Sequence, residues 1–196
     1  MEADEIKELI ALGHELRGLE FKAAGLRSDK AFLAKICRAA IAMANRRDGG
    51  HILLGVDDGP PPVLAGLSAA QLATWTFDAL SASFGEYCEP NVVFDIETVL
   101  VDGHAVVVVA IREFEQVPVI CKKTYDRTLR EGALYVRSHR MPETVEVPGY
   151  PEMRELIDLA TDKGVRAFVS TATRAGVTLR RESGASLFDA ELGEFG

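Results

Sequence analysis

The sequence has 196 residues, of which 47% are hydrophobic and 27% are charged, a composition that closes one sizeable core in a single domain. Its longest uninterrupted apolar run, residues 105–111, is far shorter than the ~20 residues that a membrane-spanning helix needs. The N-terminal segment MEADEIKELIALG lacks the basic start and the small-residue cleavage site of a secretory signal. We therefore expect a protein that crosses no membrane and works in the cytoplasm.

The net charge of −8 by itself disfavours a nucleic-acid partner, because phosphate binding usually requires a basic surface. The charge is unevenly distributed, however. Residues 14–50 hold eight Lys and Arg against four acids, and residues 121–140 hold six against two, so each segment is net +4. These segments form a basic surface if they share a face of the fold, and are ordinary solvated faces if they do not.

The first half of the chain predicts two helices and two strands. Apolar residues at helical spacing predict a helix over residues 4–12, and alternation predicts a half-buried strand over residues 19–22. Ser28 is the predicted N-cap of a long helix that runs to about Asn45. The apolar run at residues 51–56 predicts a strand covered on both faces, which ends in a proline-rich loop.

The second half is predicted to contain a helix, a hairpin, two strands and a final helix, over residues 68–84, 92–112, 117–121, 133–138 and about 151–163. Asp102-Gly103 is the predicted hairpin turn. Toward the C-terminus the apolar density falls, so we predict a domain over residues 1–168 and a flexible acidic tail over residues 169–196. The predicted fold class is α/β, with a mixed sheet flanked by helices.

Three cysteines, Cys37, Cys88 and Cys121, are scattered along the chain without any C-x-x-C spacing. This pattern argues against a disulfide framework and against a structural zinc site. Buried free thiols are the simpler expectation. The four histidines also lack ligand spacing, so none is assigned to a metal.

Candidate acidic residues surround the first two predicted strands. Glu20 and Lys22 leave the same strand face, and a carboxylate beside an ammonium suits a metal-bound phosphate. The alternative is a solvated ion pair worth ~0–1 kcal/mol. Glu15 can bring a second carboxylate. Asp57 and Asp58 can bring a third, since α/β sheets place ligands at carboxyl ends of strands, although Asp residues before Gly-Pro also commonly close a loop.

Two further features suggest contacts with a nucleotide. Tyr135 and Arg137 share a strand face, where an aromatic ring beside a guanidinium suits a base next to a phosphate. The alternative is a partly buried tyrosine beside a surface arginine. The glycine-rich residues 48–59 permit close backbone approach, which serves either a phosphate or tight packing, and they lack the G-x-x-x-x-G-K-[ST] pattern of a P-loop.

In order and spacing, these motifs resemble the Schlafen AlbA-like domain family from about Glu15 to Val145. The motifs are E-(x)4-E-F-K at Glu15, Glu20 and Lys22, A-N-x-x-x-G-G at 44–50, G-V-D-D-G at 55–59, Pro118 in the PVIC strand and Y-V-R-S at 135–138.

The resemblance implies a function and a site. In animal Schlafens with ribonuclease activity, the matching positions form a three-carboxylate centre for Mg²⁺ or Mn²⁺, here Glu15, Glu20 and Asp57 or Asp58, of which Asp58 fits the spacing better. Lys22 would add a cation beside the phosphodiester. The leading interpretation is a nucleic-acid-binding domain, for RNA more than DNA, that is also a candidate metal-dependent endoribonuclease acting on tRNA or other RNA. A non-catalytic DNA-binding or transcription-regulatory module and an ATP-binding protein remain the alternatives.

We also predict the nucleic-acid surface and the oligomeric state. The predicted contact residues are Lys22, Arg38, Arg46, Arg47, Lys122, Lys123, Tyr135 and Arg137. Animal Schlafens carry two related lobes that form a basic clamp, whereas this chain has one. A symmetric homodimer, with the 92–112 hairpin as its contact, would supply the second lobe, although a buried position in the sheet explains the apolar hairpin equally well.

Overall fold

The computed structural model describes residues 1–177 of the chain. Its helices are α1 (Ala3–Ala11), α2 (Lys30–Ala44), α3 (Ala69–Leu72), α4 (Phe77–Tyr87) and α5 (Tyr150–Arg174). Its strands are β1 (Leu19–Lys22), β2 (Gly50–Leu54), β3 (Val56–Asp57), β4 (Val63–Leu64), β5 (Cys88–Glu89), β6 (Phe94–Val101), β7 (His104–Ile111), β8 (Ile120–Cys121), β9 (Tyr135–Arg137) and β10 (Thr144–Glu146).

Four of these strands form the main sheet, in the order β1-β2-β7-β6. The β1 and β2 strands are parallel and are joined by the crossover helix α2, whereas β2 pairs antiparallel with β7 and β7 pairs antiparallel with β6. The sheet is therefore mixed and flanked by helices, which confirms the predicted fold class. Three two-stranded ladders, β3-β4, β5-β8 and β9-β10, complete the described strands.

Both faces of the sheet are covered by apolar side chains. On one face, α2 and α4 supply fully buried residues such as Ile36 and Leu80. On the other, Ile6 of α1 packs with Phe21 of β1 and Val108 of β7. Because β2 lies inside the sheet between these layers, its continuous apolar sequence is what a strand covered on both faces requires.

Several element boundaries differ from the sequence prediction. Asp29, not Ser28, caps α2, since its carboxylate accepts hydrogen bonds from the N–H groups of Ala31 (2.9 Å) and Phe32 (3.2 Å). The predicted helix over residues 68–84 is two helices. Ser68 forms a capping box at the start of α3, and the Thr76 hydroxyl caps α4, so each hydroxyl starts a helix of its own.

The predicted strand over residues 51–56 is interrupted at Gly55, which has φ +99°. A Cβ at this position would lie 2.7 Å from a methyl carbon of Leu67, so the conformation and the packing both require glycine. The chain turns there and continues as β3, which pairs with β4. The predicted hairpin is confirmed: Asp102 and Gly103 have φ +49° and +82° between β6 and β7.

The C-terminal helix is longer than predicted, since α5 continues to Arg174, so residues 169–174 of the predicted tail are helical. Residues 1–163 form one compact unit, and a second unit begins at Gly164. The predicted tail from residue 178 onward lies outside the described residues. None of the described helices combines the length and apolar character that crossing a membrane requires.

The three cysteines are free and buried, as predicted. Cys88 and Cys121 lie opposite each other in the β5-β8 ladder. Burial raises the pKa of Cys37 and Cys88 well above the ordinary value, and it also raises the pKa of Cys121. Neutral, buried thiols act as small apolar side chains of the core.

Candidate functional site

A cleft of about 330 Å³ lies beside the carboxyl end of β1, and we call it the β1 cleft. Its charged lining residues are Glu15, Glu20, Lys22, Lys35, Arg38, Asp58 and Glu143. Strand β1 supplies Glu20 and Lys22, and one face of α2 supplies Lys35 and Arg38. Parallel pairing of β1 with β2 brings the loop after β3, with Asp58, to the same end of the sheet.

The cleft gathers the three predicted carboxylates Glu15, Glu20 and Asp58. Asp57 does not line it: this residue belongs to β3, where it pairs with Val63, and its side chain is exposed. The structure therefore distinguishes Asp58 from Asp57, which the sequence left as alternative candidates. Successive side chains of an extended chain point in opposite directions, so only one of the two reaches the cleft.

Glu20 is only 7% exposed and is neutralised by two cations. Its Oε1 accepts a hydrogen bond from Lys22 Nζ at 2.5 Å, and its Oε2 accepts one from Arg137 Nη1. Glu15 accepts a hydrogen bond from the Phe21 N–H at 2.6 Å. Burial, together with the negative charge of Glu20, raises the pKa of Glu15 despite that bond and the nearby Lys22 and Arg137.

Arg137 was predicted to contact nucleic acid, and the structure corrects this prediction. Its side chain is fully buried and links three parts of the chain. Besides Glu20, its guanidinium donates to the carbonyl oxygens of Leu19 (3.0 Å), Pro142 (2.7 Å) and Arg17 (3.1 Å). A buried guanidinium must find acceptors for its donors, and here backbone carbonyls supply most of them.

Tyr135 is likewise unable to stack on a base, because it is only 3% exposed. Its hydroxyl accepts a hydrogen bond from the Arg130 N–H at 2.8 Å. The guanidinium carbon of Arg38 lies 5.1 Å from the centre of the Tyr135 ring, within range of a cation–π contact. Tyr135 therefore holds Arg38 at the cleft, in place of the base-stacking role predicted for it.

Arg38 and Lys35 are the cations of the cleft that lack a carboxylate partner within residues 1–177. Neither takes part in an ion pair there, and Arg38 Nε is buried without a hydrogen-bond acceptor. The prediction includes Arg38 but misses Lys35. Lys35 precedes Arg38 by three residues, which places both on the same helix face. This spacing could have identified Lys35 from the sequence.

The other predicted basic residues do not line the cleft. Arg46 donates to the Gly49 carbonyl at 2.6 Å, and Arg47 pairs with Asp162 at 2.9 Å. Lys122 lies 3.6 Å from a carboxylate oxygen of Glu89, and Lys123 pairs with Glu86. These four residues therefore stay predicted contacts outside the cleft, and their positions in the sequence do not reveal which of them have acidic partners.

The glycine-rich segment has a packing role. Gly49 has φ +65°, and a Cβ there would lie 2.0 Å from the Ile111 carbonyl oxygen. A Cβ on Gly50 would lie 2.2 Å from Met43 Sδ. These contacts, like that of Gly55 with Leu67, account for the glycines without a bound nucleotide.

The three carboxylates do not fit a metal ion as they are arranged. Within residues 1–177, no three His, Cys, Asp or Glu side chains are placed to hold one. The oxygens of Glu20 are engaged by Lys22 and Arg137, and one oxygen of Glu15 is engaged by the Phe21 N–H. A divalent ion would have to displace these donors before three carboxylates became ligands.

Comparison with known proteins gives a family match and several structural likenesses, two of which follow. Residues 15–146 match the family described as Schlafen, AlbA_2. No curated protein sequence is significantly similar. The DIP2311 protein from Corynebacterium diphtheriae is 15% identical with a TM-score of 0.47, over 74% of this chain and 26% of that one. The N-terminal domain of a RecG-related protein from Nitrosomonas europaea is 21% identical with a TM-score of 0.49, over 76% of this chain and 98% of that one.

Proposed function

Because the chain belongs to the Schlafen, AlbA_2 family, we propose that the β1 cleft binds the phosphodiester backbone of a nucleic acid. The main support for this proposal is the position of the Arg38 guanidinium and its pairing. Its guanidinium faces the cleft, is positioned by the Tyr135 ring and has no carboxylate partner among the described residues. An arginine in this state has donors available for phosphate oxygens.

Lys35 strengthens the proposal, since it adds a second cation one helical turn away on the same wall of the cleft. Two phosphates of one strand would then contact α2. The rest of the chain is acidic, so binding depends on this local cationic wall and not on the overall charge of −8.

We favour RNA over DNA as the ligand because acidic residues outside α2 also line the cleft. Glu15, Asp58 and Glu143 bring carboxylate oxygens to the cleft. Carboxylates repel phosphates but accept hydrogen bonds from ribose 2′-hydroxyls, the group that distinguishes RNA from DNA. An RNA strand with its phosphates against α2 and its riboses against these carboxylates would pair the cations with phosphates and the carboxylates with 2′-hydroxyls.

The test is a fluorescence titration of labelled single-stranded RNA and DNA at several salt concentrations. Arg38→Ala and Lys35→Ala should each weaken RNA binding and lower the slope of log affinity against log salt by about 0.7. Lys123→Ala is the matched control, because Lys123 is outside the cleft and paired with Glu86. Absence of binding at low salt, or equal weakening by the control variant, would refute the proposal.

A second candidate function is metal-dependent cleavage of RNA, including tRNA. It is favoured by the convergence of Glu15, Glu20 and Asp58 on one cleft, since Mg²⁺ and Mn²⁺ prefer carboxylate oxygens. Both carboxylate oxygens of Glu20 already accept hydrogen bonds, one from Lys22 and one from Arg137. We therefore derive no catalytic step through a metal.

Asp58 and Asp57 offer a clean test of this second candidate. Both side chains are exposed, so neither Asp58→Asn nor Asp57→Asn should disturb the core, but only Asp58 lines the cleft. Cleavage of RNA that depends on Mn²⁺ or Mg²⁺ should be lost in Asp58→Asn and kept in Asp57→Asn. Binding without metal-stimulated cleavage would leave the non-catalytic alternative.

A further inference from the structure

We propose that the outer edge of β6 pairs with the β6 edge of a second copy of this chain, around a twofold axis at Thr98. This interaction surface is independent of the proposed function, because β6 is the edge strand opposite β1 and its cleft. The argument starts from the backbone groups that the sheet leaves without partners.

The hydrogen-bonding direction of each β6 residue follows from the ladder. The Arg112 N–H donates to the Val93 carbonyl oxygen at 2.9 Å, and the β6-β7 register continues unbroken from Phe94↔Ile111 to Val101↔His104. Antiparallel pairs alternate, so Asp95, Glu97 and Val99 direct their backbone groups to β7. The backbone N–H and C=O groups of Ile96, Thr98 and Leu100 therefore point outward, and none has a partner within residues 1–177.

At the opposite edge of the sheet, the outward backbone groups of β1 have hydrogen-bond partners. On β1, the outward Leu19 carbonyl accepts from Arg137 and the outward Phe21 carbonyl accepts from Lys22 Nζ. The Phe21 N–H donates to Glu15. The Leu19 N–H donates to the Leu16 carbonyl oxygen at 3.0 Å, so side chains and one backbone bond together pair the outward groups of Leu19 and Phe21. The β6 edge carries two charged side chains, Asp95 and Glu97, but it has no proline, lysine or bulge, which are common features that block pairing of an exposed edge.

Side-chain charges favour registers of the second copy in which like charges are not opposed. With the axis at Thr98, Glu97 lies opposite the partner's Val99, and Asp95 lies opposite the partner's Val101, so no like charges face each other. An axis at Ile96 would instead place Glu97 opposite the partner's Asp95, which is unfavourable. An axis at Leu100 would leave few paired residues, because β6 ends at Val101.

Apolar side chains support the same register. Leu100 is 68% exposed, a large value for a leucine in a strand, while Ile96 is half-buried on the same strand face. The Thr98 axis places Leu100 opposite the partner's Ile96, and the reciprocal pair forms on the other side of the axis. Each exposed leucine then gains an apolar neighbour.

The resulting dimer has one continuous eight-stranded sheet. Seven spacings of about 4.8 Å separate its two β1 strands, so the two clefts lie at opposite ends, roughly 34 Å apart. This arrangement differs from the single clamp expected from the resemblance to two-lobed proteins. It leaves both β1 clefts open, and the dimer and the cleft can be tested separately.

The experiment measures molar mass by light scattering across the micromolar range. We expect a mass of twice the 21.3 kDa of one chain. Thr98→Pro removes the central N–H of the interface but no hydrogen bond within the described chain, and edge strands tolerate proline at such positions. It should raise the dimer dissociation constant by about tenfold or more. Thr98→Val, which keeps the N–H, should remain dimeric.

Leu100→Lys is a second variant that leaves folding intact, because this side chain is mostly exposed. It should also shift the protein toward the monomer, and its thermal unfolding midpoint should match that of the wild type at concentrations where both proteins are monomeric. A wild-type mass of one chain throughout the range would overturn the proposal. So would a folded Thr98→Pro or Leu100→Lys protein whose dissociation constant equals that of the wild type.

Discussion

Arg137 connects the end of β9 to β1 through hydrogen bonds that no solvent can replace. Its side chain is fully buried, so its removal would leave the buried Glu20 carboxylate and several carbonyl groups without a donor. We expect Arg137→Met to lower the free energy of unfolding by about 3–5 kcal/mol, measured by urea denaturation. Arg127→Met, at an exposed arginine outside every described ion pair, should change it by less than about 0.5 kcal/mol.

Glu15 gives the cleft a pH-dependent contribution to stability. Burial and the charge of Glu20 raise its pKa above the ordinary 4.5, so the folded chain holds this proton more tightly than the unfolded chain. The stabilisation is complete below pH 4.5 and is lost as pH rises through the raised pKa. Relative to Glu15→Gln, the wild type should lose unfolding free energy over that window in urea titrations. A difference that does not vary with pH would contradict this.

Helix α2 is the element that joins the core to the cleft. Ile36 and other apolar residues on one side fill the core, while Lys35 and Arg38 reach the cleft from the other. Its first turn is fixed by the Asp29 carboxylate, which also lies favourably at the positive end of the helix dipole. This cap lies six residues before Lys35 and nine before Arg38 on the same helix.

Loss of that cap should be measurable. Asp29→Ala is expected to lower the free energy of unfolding by about 1 kcal/mol, because two N–H groups of the first turn lose their acceptor. Ser28→Ala is the control, since the Ser28 side chain makes no hydrogen bond among the described residues. A larger effect of Ser28→Ala than of Asp29→Ala on the urea midpoint would assign the cap to Ser28, as the sequence alone predicts.

At the scale of the whole molecule, residues 1–163 contain the sheet, the core and the β1 cleft in one compact unit. We propose that this unit is the autonomous domain, slightly shorter than the 1–168 domain expected from composition. A chain that ends at Lys163 keeps the contact of this lysine with Glu113. It should unfold cooperatively with a thermal midpoint close to that of the full chain. Broad, non-cooperative melting by circular dichroism would show that later residues are needed.

The strands and helices with strong local patterns were predicted well. The β1 strand matches residues 19–22, and the Asp102-Gly103 turn lies where its dipeptide indicates. Predictions failed where two local signals were equally acceptable. Ser28 and Asp29 are both good caps, and residues 68–84 read as one helix although Ser68 and Thr76 each start one.

The sequence by itself determined the α/β class, the family and the acidic candidates Glu15 and Glu20, because periodicity and motif spacing are local properties of the chain, but it left Asp57 and Asp58 as alternatives. Only the tertiary structure decided which basic side chains remain available to bind a ligand. Arg137 and Lys22 are bound to Glu20, Arg47 to Asp162 and Lys123 to Glu86, whereas Arg38 faces the cleft. An ion pair between residues far apart in sequence depends on how the elements pack, and no local pattern encodes it.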